Sequence, residues 1–356
     1  MKSKTISGIR SFIATPSELI YCDMSSSLLF RDIKIEHVDC QSLVLYDTEL
    51  HFEDSEESKP FFINLNDDAI TVFKKEYNYD PRLVSDNKVL VCNDFKVQNG
   101  IVHFINYVYD IVDKSLRRIT SIDTFSSFEQ FSTLAIGKSH VQMGGEQDEK
   151  IIAISVSIDT VIWEFDCKSL GPYISGIIEK ENRITHYAGQ FNGNLIFSLE
   201  SGGTLMLDAN SGNIKEYWPN TLVTYNLQST SNSAIFWGAS YMTFIEVDAD
   251  RGVLNVQFDL TEELKRMANI PAESPNWVGI HTGVIHDNLI YFLADINYLG
   301  IFDPSQKKII WWHKFQFEIK STMLKNGTES FCVTNNKIYV LDNSNTLHIF
   351  EKENQN

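Results

Sequence analysis

The sequence predicts an all-β chain, a closed β-propeller of four-stranded blades. Three observations carry this reading. Eight short apolar segments each run into a turn-forming acid or amide, at Asp32, Asn66, Asp113, Asp166, Asp208, Asp248, Asp303 and Glu351. The intervals between these markers are 34, 47, 53, 42, 40, 55 and 48 residues. A period of roughly 40–50 residues built from short strands is the signature of a propeller, with one small sheet per period. Within a period, Gly, Asn and Ser punctuate the apolar runs as hairpin turns do.

Taken in chain order, the first element is a spare segment, KTISGI (residues 4–9). Behind it, SFIATPSELIYCDMSSSLLFRD supplies three strands and ends on Asp32. FFINLN and YDIVD end the next two periods, and VIWEFD the fourth. Residues 123–150 do not divide cleanly, so seven blades stand as the alternative to eight. The clearest period is residues 185–218, with strands near 185–189, 194–199, 203–208 and 213–218. After FIEVD comes an insertion, 259–276, that reads as helical: Asp259 can cap it, Glu262 follows three residues later, Leu264 and Met267 mark its packed side, and Pro271 bars its continuation. The last period, from Ser330, holds three strands and then stops. The simplest closure lets residues 4–9 supply its missing outer strand, because an open ring leaves two unpaired edges. One domain over 1–352 follows, with a disordered tail at 353–356.

The turns carry a family resemblance. In DANSG (208–212) and DADRG (248–252) an Asp ends a strand, a Gly follows four residues on, and an aromatic, Trp218 or Phe258, sits in the next strand. This resembles the repeats of the quinoprotein-like superfamily, the pyrroloquinoline-quinone-type propellers, most clearly over 185–315. At 303–312 a Lys replaces the Gly, and only Trp311 keeps the aromatic spacing. The resemblance implies architecture alone, since the adjacent cysteine pair of the quinone enzymes has no counterpart, and no cofactor is expected.

Composition narrows the function classes. Acidic residues outnumber basic ones by 47 to 30, a formal charge of −17, and no basic stripe interrupts them, which argues against a nucleic-acid partner. No run approaches the roughly 18 apolar residues of a membrane span. The N-terminal stretch lacks a continuous apolar h-region, and five scattered cysteines (Cys22, Cys40, Cys92, Cys167, Cys332) without a CxxC pattern read as thiols. A cytoplasmic protein is the expectation.

Catalytic and metal motifs give no positive signal. The two Asp-Gly turns open like calcium loops but lack the later bidentate carboxylate, so hairpin turns with Asp accepting backbone N–H groups explain them. His281 and His286 lie five apart on an extended run, an odd spacing that puts them on opposite faces. His313 shares a face with Ile309, Trp311, Phe315 and Phe317. Neither GxSxG, Walker A, GxGxxG nor HExxH occurs. An enzyme or small-ligand binder using the central channel stays as the rival class.

The longer insertions, 53–59, 75–80, 94–100, 123–131, 259–276 and 316–328, fall mostly on one side of the disc. They gather Glu53, Asp54, Glu56, Glu57, Asp80, Asp123, Glu129, Glu262 and Glu263, interleaved with Tyr77, Tyr79, Phe125 and Phe128. Aromatics among loop charges suit a protein interface, and the acidic surplus asks for a basic protein partner. A bacterial immunity protein that neutralises a toxin is one concrete form, and a solvated acidic rim with tucked-down aromatics is the plain alternative.

Overall fold

The computed structural model describes residues 2–46, 49–56, 60–66, 69–72, 78–85, 88–98, 101–110, 112–113, 115–121, 126–131, 133–138, 141–142, 150–226, 228–229, 235–248, 251, 253–276, 278–295, 297–320 and 330–351. The chain divides into two compact units. One holds residues 1–75, 227–247 and 254–356, and the other holds 76–226 and 248–253.

Four-stranded antiparallel sheets dominate both units. In the first, Ile9–Ala14, Leu19–Asp23, Leu28–Phe30 and Ile33–Ile35 form one sheet in chain order, and Val38–Tyr46, Glu49–Asp54, Pro60–Asn64 and Ala69–Val72 form the next. Ile280–His286, Leu289–Ala294, Tyr298–Asp303 and Lys308–Lys314 form a third, with Gln228–Ser229 added in parallel at its first strand. The last sheet runs Phe331–Val333, Lys337–Leu341 and Thr346–Glu351, and its outer strand is Lys2–Ser7 from the other end of the chain. The register pairs Lys2 with Glu351, Lys4 with Ile349 and Ser7 with Thr346. Gly8 then bends the chain at φ +79°, a region that glycine enters freely, and Ile9 starts a separate sheet.

The second unit contains Asn78–Ser85, Lys88–Gln98, Ile101–Asp110 and Ser115–Arg118, then Ser126–Phe131, Leu134–Lys138, Lys150–Ser155 and Thr160–Asp166. Its best-defined sheet is Ile184–Phe191, Asn194–Leu199, Thr204–Asp208 and Ile214–Trp218, each strand pairing with the next. VIWEFD is the fourth strand of its sheet, whereas TLMLD and LGIFD are third strands. That difference explains why the marker spacing is irregular around Asp166.

The cores lie between sheets. Ile20, Cys22, Leu28, Cys40, Leu50 and Phe52 pack as one cluster, and Phe197, Leu205, Leu207, Trp163 and Ala209 belong to another. The indole N–H of Trp163 donates to the Ala209 carbonyl oxygen at 3.0 Å, fastening one sheet to the turn of the next. A Cβ on Gly212 (φ +68°) would collide with the Trp163 ring, so this turn needs glycine for space as well as for conformation. Among the described residues no helix is long and apolar enough to cross a membrane.

The strand-end aspartates act as turn acceptors. Oδ1 of Asp208 accepts the N–H groups of Asn210 and Ser211 at 3.1 and 2.9 Å, and Oδ1 of Asp303 accepts those of Ser305 and Gln306 at 2.9 and 3.2 Å. In the YDIVD turn the acceptor is Asp110, bonded to Val112 and Asp113 N–H, so the marker residue Asp113 is the one held, not the holder. Hydrogen bonds from Ser305 and Gln306 outweigh burial and hold the Asp303 carboxyl below the ordinary aspartate range. Burial pushes Asp208 up, yet bonds from Ser211 and Lys215 leave it below that range too. A depressed folded-state pKa stabilises above the unfolded value of about 3.9 and loses that contribution as pH falls through the lower folded value. The urea midpoint should therefore fall as pH drops from about 4 toward about 2, and Asp208→Asn together with Asp303→Asn should flatten that slope. An identical acid slope in wild type and double variant would assign the acid sensitivity elsewhere.

Candidate interaction surface

Two parts of the sequence-predicted acidic surface are described at side-chain level, both in the first unit. The helix Thr261–Ala268 begins with Glu262 and Glu263 and ends with Lys265 and Arg266, an order that suits the helix dipole. Its N-cap is Leu260, which makes no side-chain cap bond. Asp259 lies one residue before the cap, and its Oδ1 accepts from the Thr261 N–H at 2.9 Å and from the Thr261 hydroxyl at 2.6 Å. Leu264 and Met267, three apart, are buried, and Asn269 closes the helix in the left-handed region. Lys265 Nζ ties the following loop back through the carbonyl oxygens of Ala272 (2.6 Å) and Ser274 (3.1 Å). Glu263 is committed structurally, since its Oε2 accepts the Ile309 N–H at 2.7 Å. Glu262 is exposed and points away from the packed side.

Glu56 sits in the turn after Glu49–Asp54 and pairs with Nδ1 of His37 at 2.9 Å, both side chains being more than half exposed. Glu53 and Asp54 end the strand itself, opposite Asp39 and Val38. This corrects the loop assignment of 53–54: the strand continues two residues further than the acidic composition suggested. Tyr79 and Asp80 likewise belong to the strand Asn78–Ser85, with Tyr79 opposite Val91, and Phe128 and Glu129 belong to Ser126–Phe131. These four lie in the second unit, and their place in strands corrects the loop reading for the described parts of 75–80 and 123–131; Asp80 and Phe128 fall where the register shifts. Lys88–Gln98 similarly takes most of the 94–100 insertion into a strand. Glu57, Tyr77, Asp123 and Phe125 lie outside the described residues.

The surface that sequence reasoning missed is in the second unit. Asp166 Oδ1 accepts the Lys168 N–H at 2.9 Å and starts a short 3-10 turn, Cys167–Leu170, which Gly171 ends. There follows a separate two-stranded hairpin, Pro172–Ser175 with Ile178–Glu181, in the register Pro172–Glu181 to Ser175–Ile178. Gly176 takes φ +66° at the first position of its two-residue loop, the requirement of a type II′ turn. The base is anchored by ion pairs, Lys168–Glu181 at 3.4 Å and Lys180–Glu200 at 3.5 Å. The tip is apolar and open: Ile174 is 68% exposed, Ile178 59% and Ile177 100%. Three isoleucines in water on one small hairpin are unusual for a surface that only meets solvent. The signal in the sequence was a glycine set in a β-branched run, YISGII, which belongs to neither neighbouring strand set.

Among the described residues, no group of three or more His, Cys, Asp or Glu side chains is arranged to hold a metal ion. His281 is exposed and His286 buried, with Asp287 Oδ2 at 3.2 Å from His286 Nε2. His313 is part of a ring ladder, stacked on Trp311 at 6.1 Å and edge-on to Phe315 at 4.9 Å.

No protein-family model matches the chain. No curated protein matches its sequence. Solved structures do resemble its fold. The chain is similar to BamB from Moraxella catarrhalis (TM-score 0.54, 11% identity, 99% of each chain covered). It is also similar to Sqt1 of Saccharomyces cerevisiae (TM-score 0.56, 9% identity, 99% of this chain and 98% of that one). A third is the C-terminal WD40 domain of Sif2 (TM-score 0.57, 10% identity, 98% and 97%). These are β-propeller proteins, and with the four-stranded antiparallel sheets described above they establish a propeller architecture for this chain.

Proposed function

We propose that this chain is a non-catalytic, protein-binding β-propeller whose partner is a basic protein. The observation that carries the reading is the hairpin Pro172–Glu181, which presents Ile177 fully to solvent while ion pairs fix its base. An exposed apolar anchor on a two-stranded stem is the kind of element that fills a partner's pocket. The formal charge of −17 supports a basic partner, because opposite charge raises the association rate. Glu56 and Glu262, both exposed, are the described members of the acidic surface that would act in this way. The proposal keeps the closed eight-bladed ring, on the support of six four-stranded and two five-stranded sheets and of the Lys2–Ser7 pairing. It also keeps a cytoplasmic setting and, as one concrete form, an immunity protein that neutralises a basic toxin domain.

The test begins with affinity purification from the source cells on immobilised wild-type protein and on Ile177→Asp, with mass spectrometry of what each retains. A genuine partner is enriched by the wild type and depleted by the variant. Kinetics on that partner then separate the two surfaces. Ile177→Asp should speed dissociation about tenfold, the equivalent of roughly 1.4 kcal/mol. Glu56→Lys with Glu262→Lys should slow association at low salt and matter less at physiological ionic strength, where the screening length is about 8 Å. Wild-type kinetics in both variants, on folded protein, would move binding to another surface.

A further inference from the structure

A different feature, independent of that reading, lies at the outer edge of the last sheet. Lys2–Ser7 pairs with Thr346–Glu351 in six consecutive antiparallel pairs, without a bulge. Ser3, Lys4, Thr5 and Ser7 are exposed, and Ile6 is the described side chain of the strand that packs on the cluster of Phe12, Tyr339, Leu347 and Ile349. Three bonds tie the first sheet to the last sheet and the segment leading into it, all on the far side of Gly8. The Ile9 N–H donates to the Asn345 carbonyl oxygen at 2.8 Å, Lys320 Nζ to that of Arg10 at 2.7 Å, and the Cys332 thiol to that of Ala14 at 3.4 Å. These bonds therefore hold the two sheets together whichever copy of the chain supplies Lys2–Ser7.

The hinge is one residue long. Gly8, at φ +79°, is all that separates Lys2–Ser7 from Ile9–Ala14. Its carbonyl oxygen is fixed by the Met24 N–H at 2.9 Å, so rotation about its N–Cα bond alone swings the strand off the edge. With an extended φ at Gly8, residues 2–14 become one continuous strand that leaves its own protomer.

We propose that the edge of Thr346–Glu351 is a strand-exchange site whose second occupant is another copy of this chain. In a reciprocal dimer each protomer's Lys2–Ser7 completes the last sheet of the other, an exchange of one identical element. The second copy is the partner that fits, because its strand remakes the same six pairs and the same Ile6 contact. The dimer therefore gives up no interaction that the monomer makes through this strand, and its cost is the entropy of association, which concentration offsets. Glycine enters the positive-φ region freely, so the closed monomer dominates in the wild type. The charge of −17 on each copy acts against the dimer, and salt weakens that repulsion.

The experiment mixes two single variants, Ser7→Cys and Thr346→Cys, at high concentration and physiological salt under reducing conditions, then oxidises them briefly and maps the disulfides. Positions 7 and 346 face each other in the ladder, and neither variant carries both thiols. A disulfide joining these two positions, in a species of dimer mass, is the expected product of exchange. Its absence after prolonged incubation, or a dimer linked through other cysteines alone, overturns the proposal. Gly8→Val tests the hinge. A Cβ at Gly8 meets nothing within 4 Å, so the substitution adds no clash, but a β-branched residue avoids φ +79° and favours an extended backbone. Each dimer relieves two such hinges at about tenfold each, so the dimerisation constant from sedimentation should rise on the order of a hundredfold over wild type. Gly8→Asn, which enters the left-handed region more readily, should rise less. Equal constants in wild type and Gly8→Val also overturn the proposal. If Gly8→Val fails to fold, the mixed-variant disulfide, formed with Gly8 intact, decides alone.

Discussion

A chain that begins at Gly8 is expected to lose about 3–5 kcal/mol of unfolding free energy, because the removed strand covers Leu347 and Ile349, each worth roughly 1.5–3 kcal/mol when buried. Lys2–Ser7 is largely exposed itself, and only Ile6 packs on the apolar cluster of Phe12, Tyr339, Leu347 and Ile349. Its contribution is therefore the cover it gives and the ladder it completes with Thr346–Glu351. An ordinary frayed terminus would cost almost nothing. Urea unfolding of the truncated and full-length chains measures the difference, and a synthetic peptide of residues 1–7 added in excess should recover part of it by mass action. An unchanged midpoint in the truncated chain would falsify this account of how the last sheet is finished.

The second large effect is expected at Asp342, which is 4% exposed and sits in the turn between Lys337–Leu341 and Thr346–Glu351. Its Oδ1 accepts the N–H groups of Ser344 (2.8 Å) and Thr346 (2.9 Å), and its Oδ2 lies 2.8 Å from His348 Nε2. The His348 ring is stacked on Phe317 at 3.8 Å, so it cannot swing out to find another partner without losing that contact. Asp342→Ala takes the acceptor away from three part-buried donors at once, those of Ser344, Thr346 and His348, and a loss of roughly 2–4 kcal/mol is expected. Asp342→Asn keeps an acceptor for the turn and should cost less, about 1–2 kcal/mol. A loss below about 1 kcal/mol for the alanine variant, read from denaturant midpoints at equal slope, would show that water replaces the carboxylate.

The sheet architecture was legible because it is written locally. Residues 184–218 are apolar runs punctuated by turns at Gly193, Gly203 and Gly212, and the observed strands fall within a residue or two of those read from the pattern. The strand-end aspartates were legible for the same reason, since their partners are two and three residues on. What the sequence hid was of two kinds. Where a strand carries charges at its end, as in Glu49–Asp54, composition looks like a loop while the backbone continues its ladder. Where a feature depends on residues on different sheets, nothing local announces it: Cys22 and Cys40 belong to one buried cluster. The hairpin at 172–181 lies between these cases. Its glycine and its isoleucines are readable, but their exposure is decided by the absence of a third strand among the described residues beside them.

The pairing of Lys2–Ser7 with Thr346–Glu351 also fixes the order of events on the ribosome. Lys2–Ser7 emerges well before its partner Thr346–Glu351, so at roughly 5–20 residues per second it waits on the order of 20–70 s with an unpaired edge. During that interval any neighbouring nascent chain is a competitor for it. Lys2 and Lys4 put positive charge on the waiting strand, the usual deterrent to edge-to-edge pairing. Replacing both with threonine should leave the finished protein as stable as before and lower the yield of its synthesis.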